Sequence, residues 1–111
     1  MIGSTAAQYG GSASFDERRA ERHQLRLTRT ATTSLIGDFV VILSNLSRTG
    51  VLIETPVKLR PGSAVAITID GAMIFVGAVT WCGYGFAGLE FANPVLNEVV
   101  DYIVAISKRA H

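Results

Sequence analysis

From His23 onward the sequence is a succession of short β-patterned runs cut by turn signals, and helical spacing begins only after Phe91. Gln24-Leu25-Arg26-Leu27-Thr28-Arg29 alternates polar and apolar, as a half-buried strand does. Leu35 to Leu43 is a second run, rich in β-branched residues, and Asn45-Leu46-Ser47-Arg48-Thr49-Gly50 interrupts it with turn-forming side chains before Gly50-Val51-Leu52-Ile53-Glu54 resumes a strand. Pro61-Gly62 suits the centre of a type II turn. Val65, Ile67 and Ile69 then share one strand face, and Asp70-Gly71 predicts a type I′ hairpin. Ala72 to Cys82 is apolar on both faces: Met73, Phe75, Val79 and Trp81 on one, Ala72, Ile74, Val76, Ala78 and Cys82 on the other. Such a strand should be covered twice, by a barrel interior and by a helix packed outside. Gly83-Tyr84-Gly85 makes a turn and Phe86 to Phe91 a last strand.

The helix is predicted from about Val95 to Lys108, with Asn93 as N-cap and Pro94 in the first turn. Leu96, Val99, Val100, Ile103 and Ile106 form its apolar stripe, and Lys108 and Arg109 sit at the negative end of its dipole. The stripe should dock on the barrel, with an oligomer interface as the alternative. The expected fold is all-β: a small six-stranded antiparallel β-barrel with a C-terminal α-helix.

The chain has 111 residues, the size of one domain. Residues 1–15 are dominated by Gly, Ser, Ala and Thr and should be disordered, leaving residues 16–111 as the domain. Hydrophobic residues at 49% and charged residues at 17% exclude disorder for the bulk. No apolar run approaches the roughly 18 residues of a membrane span, and the start lacks the basic and apolar regions of a signal peptide. The one cysteine, Cys82, cannot form an internal disulfide. A soluble, cytoplasmic protein without membrane insertion is expected, monomeric or weakly dimeric.

Catalytic chemistry finds no support. His23 and His111 have no neighbours at metal-ligand spacing, so no metal and no cofactor are expected. Ser47 stands in a turn sequence, not a nucleophile elbow. Most aromatics fall at apolar strand positions that predict core burial, which argues against a stacking platform for RNA, and neither DNA nor RNA is an expected partner. What remains is a charge pattern. Arg18, Arg19, Arg22, Arg26 and Arg29 crowd into twelve positions. The planar guanidinium matches phosphate and stacks on flat rings, although Asp16, Glu17 and Glu21 among them also suit a solvated, mixed-charge flank.

Arg18-Arg19-Ala20-Glu21-Arg22 and, two dozen residues later, Asn45-Leu46-Ser47-Arg48-Thr49-Gly50 together resemble the Arg-x-x-x-Arg and Asn/Asp-x-Ser-x-x-Gly signatures of the PilZ domain family. Val79-Thr80-Trp81, Gly88-Leu89-Glu90-Phe91 and the terminal helix resemble its later part, so residues 16 to about 108 are covered. The resemblance implies a receptor for the bacterial second messenger cyclic di-GMP, with no enzyme activity of its own. It implies that Arg18, Arg19 and Arg22 clamp phosphates and guanines, that Asn45 and Ser47 reach a base edge or a phosphate oxygen, and that Gly50 lets the ligand approach the backbone closely or allows a bulge. Asn45 departs from the Asp that many members carry; its amide both donates and accepts, and does not repel phosphate. The arginine segment should be mobile when empty and ordered by ligand. The signal would pass to an unidentified effector protein in trans. The alternative is a PilZ-like protein–protein adaptor that does not bind the nucleotide.

Overall fold

The computed structural model describes residues 21–109. The disorder expected for residues 1–15, and the mobility expected of the arginine segment up to residue 20, lie outside the described residues. Six antiparallel strands close a barrel in the order β1-β2-β3-β6-β5-β4. They are β1 (His23–Thr33), β2 (Gly37–Leu46), β3 (Gly50–Glu54), β4 (Ala64–Asp70), β5 (Met73–Gly83) and β6 (Phe86–Phe91), and one helix follows, α1 (Asn97–Arg109). The expected fold class is the observed one.

Alternation fills the interior. Val41 and Leu43 of β2, Val51 and Ile53 of β3, and Val65, Ile67 and Ile69 of β4 all point inward and are buried. The Phe75 and Phe91 rings meet edge-on with centroids 5.3 Å apart. Each fully buried branched side chain contributes roughly 1.5–3 kcal/mol. The barrel closes narrowly, because β1 pairs with β4 only at Thr30↔Thr68, Ala31↔Ile67 and Thr32↔Ala66. Arg29 Nε extends that seam by donating to the Ile69 carbonyl at 2.6 Å. The helix packs beside β1, and its Val100 and Ile103 join the barrel core.

Several local expectations are corrected. The helix does not cover the outer face of β5: Ile74 and Val76 are 55% and 56% exposed there, and Leu96, assigned to the buried stripe, is itself exposed. The helix begins at Asn97, past the Asn93-Pro94 signal. Val95 explains the delay, because its N–H donates to the Arg48 carbonyl and its own carbonyl accepts from Arg48 Nε, both at 2.9 Å. Its backbone is thereby engaged outside the helix, and the first helical bonds are accepted by the Leu96 carbonyl. Leu35 and Ile36 form the β1–β2 turn and do not start β2.

The type I′ hairpin is also elsewhere. Neither Asp70 nor Gly71 has a positive φ, whereas Tyr84 and Gly85 have φ of 57° and 85° between the paired residues Gly83 and Phe86. Positive φ at both central residues is what that turn requires. Gly62, with φ of 91°, takes the second central position of the Pro61-Gly62 turn as expected.

Candidate functional site

The joint between β2 and β3 opens onto a cleft of about 530 Å³ on the outer face of β3, β6 and β5. Arg22, Asn45, Gly50, Thr80, Trp81, Gly88 and Glu90 line it. Three of the residues singled out in the sequence are thus brought to one place, although Arg22 precedes β1 and the other two flank the β2–β3 turn.

Asn45 stands at an irregularity of β2, where the pairing register with β3 shifts between Leu43 and Asn45. Its Oδ1 is buried and has no hydrogen-bond partner among the described residues. A buried amide oxygen left unpaired costs about 1–3 kcal/mol, so Asn45 carries an acceptor that the described residues leave unsatisfied.

Ser47 is placed differently from a ligand contact. It is fully buried, and its hydroxyl serves its own turn. Oγ accepts from the Thr49 N–H at 3.2 Å and lies 3.2 Å from Thr49 Oγ1, while the Ser47 N–H donates to the Gly50 carbonyl at 2.9 Å. The turn is tied outward as well, since the Phe91 N–H donates to the Thr49 carbonyl at 2.9 Å and Arg48 holds Val95. Ser47 therefore shapes the loop that carries Asn45 and Gly50. Ser47→Ala is expected to lower stability by about 0.5–1.5 kcal/mol, the net worth of a neutral hydrogen bond, measurable by urea denaturation. An unchanged midpoint would contradict that role.

Gly50 is required for a reason other than backbone conformation. Its φ is not positive, but a Cβ built there would run into the carbonyl oxygen of Leu89 on β6. Close approach of β3 to β6 demands the missing side chain.

The arginine cluster divides. Arg22 reaches the cleft. Arg26 pairs with Glu54 at 2.9 Å, and Arg29 donates to the carbonyls of Ile69 and Thr28, so both serve the barrel. Arg18 and Arg19 lie outside the described residues.

Trp81 does not share a face of β5 with Phe75 and Val79, contrary to what period-two counting predicts. A register shift against β6 between Val79 and Trp81 inverts the alternation, and the indole emerges 47% exposed. It lies across Gly88, where any Cβ would collide with indole Nε1. Thr80 Oγ1 fastens the bulge by donating to the Gly88 carbonyl at 3.1 Å. A glycine on the strand facing a tryptophan was the available sign, but strict period-two counting passes over a bulge.

The family model of the PilZ domain matches residues 16–107. The chain belongs to the PilZ domain family. PilZ domains are in general receptors for cyclic di-GMP. Among solved structures, the PilZ domain of CeSA from a cellulose-synthesizing bacterium is similar in fold, with a TM-score of 0.56 and 16% identity over 82% of this chain and 98% of that chain. No curated protein matches the sequence. In this PilZ domain the second signature is the turn that bounds the cleft, and the last arginine of the first signature is on its rim. No helix among the described residues is long and apolar enough to cross a membrane.

Proposed function

We propose that this PilZ domain is a cytoplasmic, non-catalytic receptor that binds cyclic di-GMP in the cleft bounded by Arg22, Asn45 and Trp81 and relays the signal to a partner protein in trans. The observation that carries the reading is the convergence of three unlike groups on one surface: a guanidinium, an unpaired amide oxygen and an exposed indole. Each answers one part of the ligand. The guanidinium takes a phosphate or a guanine edge through paired N–H donors. The indole offers a flat face to a purine, and base–aromatic stacking contributes about 1–3 kcal/mol per base. The Asn45 oxygen, buried and unpaired within the fold, gains a partner when the side chain turns to accept from a base N–H. Gly50 adds no side chain to the floor, and the Trp81 indole covers Gly88.

Calorimetry of the full chain with cyclic di-GMP tests the reading. Arg22→Ala is expected to weaken binding about tenfold to a hundredfold, the loss of a hydrogen bond to a charged group. Its melting temperature should stay unchanged, because Arg22 is exposed outside the strands. Absence of binding by the unaltered chain, or equal affinity in the variant, would contradict the proposal.

A further inference from the structure

Glu90 is the one carboxylate among the described residues that line the cleft, and it stands where a dianionic ligand would be received. Its carboxylate has no ion pair and no hydrogen bond with any of the described residues. Its cross-strand neighbours are Gly50 on β3 and Ala78 on β5, so nothing bulky shields it. It shares the outer face of β6 with Gly88, one side-chain repeat away, and the Trp81 indole lies over Gly88. A base resting on that indole would therefore extend one edge towards the Glu90 carboxylate.

Next to phosphate, a carboxylate is a liability; next to guanine it is a complement. The Watson–Crick edge of guanine presents two adjacent donors, N1–H and the 2-amino group, which the two oxygens of a carboxylate accept together. Adenine presents a lone pair at N1 in the same place and repels the carboxylate. Hypoxanthine keeps N1–H but lacks the 2-amino group. We propose that Glu90 is a specificity-determining residue that selects guanine by accepting from N1–H and the 2-amino group of the base stacked on Trp81. This rests on the reading of the cleft as a cyclic di-GMP site.

The test is calorimetry of the full chain and of Glu90→Gln and Glu90→Ala with cyclic di-GMP, cyclic di-IMP and cyclic di-AMP. The unaltered chain is expected to favour cyclic di-GMP over cyclic di-IMP by about tenfold or more, the scale of a bidentate base contact, and to bind cyclic di-AMP more weakly still. Both variants should lose most of the preference for cyclic di-GMP over cyclic di-IMP, while their melting temperatures stay near that of the unaltered chain because Glu90 is exposed. If Glu90 only positioned Arg22, all three affinities would move together and the ratios would survive, which overturns the proposal. A parent chain that binds cyclic di-GMP and cyclic di-IMP equally also overturns it, while leaving the cleft as the nucleotide site. If the parent chain binds none of the three, the reading of the cleft fails and the role of Glu90 fails with it.

Discussion

Ile103→Asp is expected to abolish the cooperative fold. Ile103 is fully buried where α1 meets the barrel core. The substitution removes an apolar contribution of roughly 1.5–3 kcal/mol and adds the burial of an unpaired carboxylate, several kcal/mol more. Against a total stability of about 5–15 kcal/mol for a domain, that loss leaves little or nothing. The same change at Leu96, 64% exposed one turn before the buried part of the helix, should fall within about 0.5 kcal/mol of neutral. Thermal melting followed by circular dichroism separates the two variants. A well-folded Ile103→Asp protein that had merely changed its oligomeric state would mean that the helix stripe serves another molecule, the alternative left open by the sequence.

Gly50→Val should be the second most damaging change, and it acts on the site and the fold together. The new Cβ would meet the Leu89 carbonyl oxygen, which belongs to the β3–β6 ladder and cannot swing away as a side-chain tip could. The strands must part, and overpacking of this kind costs about 1–3 kcal/mol. Gly50→Ala already carries the offending atom, so most of the loss should appear with alanine and increase with valine. Comparing the urea midpoints of the two variants checks this. An alanine variant as stable as the parent would show that β3 and β6 separate freely, and the need for glycine at this position would have to be sought in the ligand.

The barrel was legible because turn residues and alternation agree along most of the chain. Val65, Ile67 and Ile69 carry a strand that no competing signal disturbs. Misreadings arose where tertiary contacts overrule local signals. Asn93-Pro94 is a sound helix start in isolation, but Arg48 takes both backbone groups of Val95 and delays the helix. Asp70-Gly71 is a strong hairpin pair, yet Asp70 itself pairs with Met73, which leaves Gly71-Ala72 to turn, and the two positive φ values fall at Tyr84-Gly85 instead. Both faces of β5 are apolar, and the need for an outer cover did not follow: Ile74 and Val76 stand exposed on a face flanked by Ala64, Ala66 and Thr68 of β4.

At the site, the motif residues Arg22, Asn45 and Gly50 were legible through their resemblance to the family signatures. Their individual roles were not. Ser47 proved to be internal to its turn, and Gly50 answers to a neighbouring strand, because a motif records which residues recur together and not which of them face outward. Trp81 and Glu90 were quoted for the resemblance but given no role. A single bulge between Val79 and Trp81 decides which side of the barrel the indole takes, and strict alternation passes over it.

Cyclic di-GMP is expected to bind in the cleft beside the β2–β3 turn. Titration of the isotope-labelled chain followed by two-dimensional NMR tests it most directly, because the chain has one tryptophan and hence one indole N–H resonance. The Trp81 indole, the Asn45 side-chain amide and the Gly50 and Gly88 backbone amides should shift together and saturably with cyclic di-GMP. Shifts confined to the separate pocket lined by Leu35, Lys58 and Val76, with the Trp81 indole unmoved at saturation, would contradict it.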